Sequence, residues 1–171
     1  MLKMFIAGLL LINIAVFAAE QTSDQDLGQP KTWLEWIGGF HLVINHFPIA
    51  LLNMTALAEL LYAWYRRPLF SDAARFMLVS GAILAVPTAI LGVIYSYSGT
   101  YEGIFAALLR LHMWFGIATA ILALVTAYLR ESQGTTTLYY TALVFLFLIV
   151  NFTGMLGGNL VFGPYHMVPP A

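Results

Sequence analysis

Four long apolar runs, separated by short polar or basic breaks, constrain this chain more than any other feature in it. They cover about Leu42 to Tyr65, Phe76 to Tyr97, Leu111 to Leu129 and Leu138 to Leu156. Each is close to the roughly 20 residues that an α-helix needs to cross the hydrocarbon of a bilayer. Only 9% of the residues are charged, 61% are hydrophobic, and mean hydropathy is +0.84. A soluble domain carries roughly 25% charged residues. A chain of 171 residues cannot hide that much apolar surface in a core of its own, so its solvent is lipid. Backbone groups in lipid must be satisfied within the segment, which predicts helices. Short links then predict an all-α integral membrane protein, an antiparallel up-down-up-down four-helix transmembrane bundle.

Residues 1–18 read as a secretory signal, with an uncleaved anchor as the alternative. Lys3 is the positive start, Met4 to Ile14 the apolar stretch, and Val16-Phe17-Ala18 a cleavage context. Residues 19–39 read as an acidic, polar linker ending in an interfacial turn that carries Trp33 and Trp36, broken by Gly38-Gly39. Residues 40–171 make the four-helix domain with a short tail. Arg66, Arg67, Arg75 and Arg130 lie on one side of the membrane, and Lys31 and Arg110 on the other. The positive-inside rule puts the first group in the cytoplasm and both mature termini outside. A net charge of −1 without clustered cations excludes a nucleic-acid partner. The absence of cysteine excludes disulfides, thiolate metal sites, iron–sulfur clusters and covalent c-type haem.

All four histidines, His41, His46, His112 and His166, map to the outer end of the bundle. His46 and His112 read as sitting about one turn inside the first and third helices, which are diagonal neighbours in such a bundle. Ionisable groups inside a span are costly and mark function. Two inward imidazoles on diagonal helices suit the axial ligation of a b-type haem, with Arg110 beside the propionates. A copper site is the alternative, with His41 and His166-Met167 offering imidazole and thioether donors. A hydrogen-bonded, purely structural role is the third reading. His41 and His166 are expected nearer water. Pro48 either opens the first helix or bends it, and Asn45 is a candidate cap.

Other intramembrane polar groups are fewer. Glu59 lies in the inner half of the first span, turned about 140° from the His46 face at 100° per residue. It could snorkel, pair with Arg75, or relay protons. Asn151 is expected to hydrogen-bond a neighbouring helix. Ala85, Ala89, Gly92 and Ser96, and likewise Gly116, Thr119 and Ala123, have the small-residue spacing that lets helices approach closely in lipid. No nucleophile–base pair, paired carboxylates or phosphate loop is visible.

Two segments carry a resemblance: His41-Leu42-Val43-Ile44-Asn45-His46-Phe47-Pro48-Ile49-Ala50-Leu51-Leu52, and Gly157-Gly158-Asn159-Leu160-Val161-Phe162. Together they resemble a bacterial family of four-span membrane domains of unknown function, marked by His-x(4)-His-Phe-Pro-Ile-Ala-Leu and a late Gly-Gly-x-Leu-Val. His112 also fits that pattern, whereas the stretch Gly163-Pro164-Tyr165-His166 departs from it. Members look similar to b-type cytochrome bundles, and some occur beside c-type cytochrome domains, which implies a redox role. The expectation is therefore an electron carrier or redox subunit more than a stand-alone enzyme. It would sit in the bacterial inner membrane and hold haem b through His46 and His112. Its partner would be a c-type cytochrome, a quinone or a larger redox complex. A non-redox anchor subunit and a periplasm-facing copper protein are the alternatives.

Overall fold

The computed structural model describes residues 32–164. The signal or anchor reading of residues 1–18, most of the linker including Lys31, and His166-Met167 lie outside the described residues. Within them the chain forms helices α1 (Trp33–Gly39), α2 (His41–Ile44), α3 (His46–Tyr65), α4 (Pro68–Tyr95), α5 (Gly103–Gln133) and α6 (Thr137–Phe162). Four stretches are long and apolar enough to cross a membrane: Trp33–Tyr65, Pro68–Tyr95, Gly103–Gln133 and Thr137–Phe162.

The first span is one helical path with two hitches. Thr32 opens it, its hydroxyl accepting from the Glu35 N–H at 3.1 Å, which satisfies an orphan donor of the first turn. Phe40 and Asn45, the residues between pieces, keep helical dihedrals (φ −61°, ψ −20° and φ −58°, ψ −27°). Pro48 therefore does not open the helix; it interrupts one already running, and its missing N–H leaves the Ile44 carbonyl without its usual partner. Asn45 makes no side-chain cap, so the expected capping role is not seen.

Arg66, at φ 54°, ends α3 in the left-handed region, its N–H reaching the Tyr62 carbonyl at 2.9 Å. Pro68 then stands at the start of α4, where a missing N–H costs nothing. That is why the second span begins eight residues before the expected Phe76. The third span also begins earlier, at Gly103 and not near Leu111. The fourth runs through Gly157-Gly158 to Phe162, so the expected stop at those glycines is not seen. Helix favours continuation there because lipid offers no other partner for the backbone.

The spans pack in a ring. α3 meets α4, α4 meets α5, α5 meets α6, and α6 returns to α3, so α3 and α5 face each other across the diagonal. The core is solid toward the end that carries Arg66 and Gly134. Leu52, Leu78, Ala82, Ala123, Ala127, Tyr139, Leu143, Leu146 and Val150 fill it, each at most 9% exposed. The same end holds a polar pin. Glu59, 4% exposed, accepts from the Tyr139 hydroxyl at 2.8 Å and the Tyr140 hydroxyl at 3.2 Å, and lies 3.6 Å from Arg130. Arg130 also donates to the Ser71 hydroxyl at 2.6 Å and stacks over Tyr139. One residue or more from every span meets here. Arg75, the expected partner of Glu59, pairs with Glu131 instead at 2.6 Å, because α4 begins early enough to carry it to the end of α5.

Candidate functional site

Toward the opposite end the bundle opens. Small residues on α4, α5 and α6 leave a cavity of about 710 Å³, within the range of about 300–1,000 Å³ typical of small-molecule sites. Ala85, Ala89 and Gly92 shape one wall, Gly116 another, and Gly154, Gly157 and Gly158 a third. Thr119 and Thr153, their hydroxyls 3.2 Å apart, stand on its inner side. The small-residue spacing read from the sequence thus serves less to bring helices together than to keep space between them.

Three histidines line this cavity, His41, His46 and His112, and the two whose rings meet are His41 and His112. The His112 ring lies 6.1 Å from the ring of His41, with their planes 80° apart. His41 is half-buried; His46 is exposed at the rim, its Nδ1 only 3.3 Å from the Val43 carbonyl of its own helical path. The expected burial order of these two residues is reversed. Five residues of ideal helix turn the chain by about 140°, the hitch at Asn45 between them alters that phase, and both residues border the cavity. His112 is also deeper than one turn, about 13 Å along α5 from Gly103 at 1.5 Å per residue. Arg110 is exposed and does not line the cavity. Two residues before His112 on a helix point to nearly the opposite face.

The two rings are held by the same device. His41 Nδ1–H donates to the Thr88 carbonyl at 2.9 Å, and His112 Nδ1–H donates to the Thr153 carbonyl at 3.0 Å. A carbonyl only accepts, so Nδ1 carries the proton in both rings. One turn beyond each threonine is a glycine. A Cβ on Gly92 would come within 2.8 Å of the His41 ring, and one on Gly157 within 3.0 Å of the His112 ring. Each glycine opens the groove through which the imidazole reaches the helix backbone. Each threonine turns its own hydroxyl back along the helix, Thr88 to Leu84 and Thr153 to Ile149, both at 2.7 Å. The first span is thus latched to the second, and the third to the fourth, by matching histidine, threonine and glycine. Sequence reasoning missed Thr88 and Thr153. The signal was there as Thr-x(3)-Gly, repeated at the cavity ends of α4 and α6.

Chemically, the latch leaves both Nε2 atoms without a hydrogen bond among the described residues. An Nδ1–H tied to a carbonyl is the arrangement that orients histidines as metal ligands and makes Nε2 more basic. The Met113 thioether lines the same cavity. The side-chain oxygen of Asn45, a residue that also borders it, is buried with no hydrogen-bond partner among the described residues, a group that ordinarily has one. Outside the spans, burial pushes the Tyr101 phenol up, with Tyr95 nearby adding to the effect, so it remains a neutral donor at the cavity mouth. Among the described residues no cluster of three or more His, Asp or Glu side chains is present.

No curated protein and no solved structure matches the chain. A family match covers residues 39–167, which takes in both sequence motifs, most of the first span, the other three spans whole and both latched histidines. By that match this chain belongs to the family described as "Predicted membrane protein (DUF2231)", a multi-pass membrane domain of unknown function.

Proposed function

We propose that the chain is a membrane electron-transfer protein that holds one b-type haem in the histidine-end cavity, with His41 and His112 as axial ligands. The matched pair of latches carries the reading. Two tautomer-locked imidazoles on diagonal spans, each with an unprotonated Nε2, line a cavity large enough for a cofactor. The group would supply one-electron chemistry. The protein's own part is to fix both rings before the cofactor enters, to exclude lipid with the small-residue walls, and to offer polar groups at the mouth. Asn45, Ser96 and Tyr101 border that mouth and take the place first expected for Arg110. The histidine end is read as facing the periplasm from the bacterial inner membrane, where a c-type cytochrome, a quinone or a larger redox complex would exchange electrons with it.

Purification in detergent after expression with ample haem, followed by a reduced-minus-oxidised spectrum, tests this. A b-type band is expected. His41→Ala and His112→Ala each abolish it, while His46→Ala keeps it. No band, or a band that survives loss of His41, overturns the assignment. One observation favours a second reading, copper: the Met113 thioether shares the cavity with the two imidazoles, a donor mix suited to the soft cuprous ion. Metal analysis of the same preparation separates the two. Stoichiometric copper that falls on Met113→Leu supports the second reading and removes the first.

A further inference from the structure

The α3–α6 seam carries a polar pair that faces lipid. Asn151 is exposed and lies about 21 Å from Thr137 and about 16 Å from Phe162 along α6 at 1.5 Å per residue. That is near the centre of a hydrocarbon layer about 30 Å thick. Its amide nitrogen spends both hydrogens, one on the Asn53 side-chain oxygen at 2.7 Å and one on the Phe147 carbonyl at 2.7 Å. Asn53 in turn donates one hydrogen to the Ile49 carbonyl at 2.9 Å. Those three bonds assign both amides without ambiguity. They also leave two capacities unused among the described residues: the second N–H of Asn53 and the side-chain oxygen of Asn151. Hydrocarbon can satisfy neither, and unsatisfied polar groups there are costly.

A donor and an acceptor side by side on one surface are complementary to a copy of themselves. A two-fold axis through the seam sets the donor of each copy against the acceptor of the other, the self-matching geometry of an isologous dimer. Apolar side chains flank the pair, with Leu148 56% and Met155 47% exposed one turn to either side of Asn151. We propose that the α3–α6 seam is a homodimer interface in the membrane, closed by two Asn53–Asn151 hydrogen bonds between copies. Interhelical amide bonds of this kind are a recognised glue between transmembrane helices.

The chain has no cysteine, so one introduced thiol reports unambiguously. Leu148→Cys and Met155→Cys in the full chain, reconstituted in liposomes and treated with a short bismaleimide, are expected to give a dimer band. Ile121→Cys on α5, 58% exposed, is expected to give at least tenfold less. Adding Asn151→Leu to Leu148→Cys should weaken association roughly tenfold while helicity is retained. Equal cross-linking at Ile121→Cys, indifference to Asn151→Leu, or a monomeric mass for the unmodified protein in sedimentation equilibrium each overturns the proposal. A band at the mass of a complex with another protein also does so, since it assigns the seam to a different partner.

Discussion

At the scale of single residues, two glycines decide where two histidines point. His41 and His46 are both polar, both near the outer end of the first span, and both fit the same motif. Periodicity distinguishes them only if the helical phase is known, and the hitches at Phe40 and Asn45 and the bend at Pro48 shift that phase. The partners settle it. Gly92 gives His41 a place to enter α4, whereas the His46 ring hydrogen-bonds to the Val43 carbonyl of its own helical path. Glycine in a helix ordinarily costs about 1 kcal/mol relative to alanine, so a glycine whose replacement hurts must be making room. Gly92→Ala puts a methyl group 2.8 Å from the His41 ring, and overpacking of that order costs about 1–3 kcal/mol. Gly154, one turn before Gly158 on the same cavity wall, has nothing within 4 Å of an added Cβ. Thermal unfolding in detergent, followed by circular dichroism, should show Gly154→Ala more stable than the unmodified protein and Gly92→Ala less stable. Matching shifts of one sign would mean that His41 is not held in the groove.

At the scale of helices, the spans were legible because lipid leaves so few choices, and their ends were less so. Hydropathy sees only the apolar stretch. It cannot see that Pro68 begins a helix three residues after another ends, or that the last helix runs on through Gly157-Gly158, where His112 packs against Gly157. Glu59 was legible as a costly group without its partner being so. The residue that matters, Arg130, sits on a helix 71 positions later, whereas the sequence reading named Arg75. The two ion pairs at this end make a direct comparison. Glu59 and Arg130 are 4% and 8% exposed, while Glu131 and Arg75 are 38% and 61% exposed. Removing one partner of a buried pair strands the other charge and costs about 3 kcal/mol or more. Exposed pairs contribute little. Glu59→Leu is therefore expected to lower the unfolding temperature strongly, and adding Arg130→Leu should recover part of the loss. Arg75→Ala should leave it nearly unchanged. A large effect of Arg75→Ala, or no recovery in the double variant, would show that the Glu59 pin does not depend on its buried charge partner.

At the scale of the whole molecule, the bundle is two similar hairpins whose outer ends are latched alike and whose inner ends meet at one polar pin. The division of labour has a direction: the closed end carries the turn Arg66-Arg67, and the open end carries the cavity. The positive-inside rule counts Lys and Arg near span ends and gives Asp and Glu little weight. Arg130 and Arg75 therefore still count although both have acidic partners. Arg66 and Arg67 add two more exposed cations on the same side, against Arg110 at the cavity end. In the proposed orientation this balance would put the closed end toward the cytoplasm and the cavity on the outer face. Reporter insertions separate the two orientations without any assumption about the cofactor. Alkaline phosphatase placed in the loop at Ser98-Gly99 should be active, because that enzyme matures only outside the cytoplasm. Green fluorescent protein placed at Gly134-Thr135 should fluoresce, because it matures inside. The reverse pattern would put the two imidazoles on the cytoplasmic face, and a periplasmic electron partner could then no longer be the one that meets them.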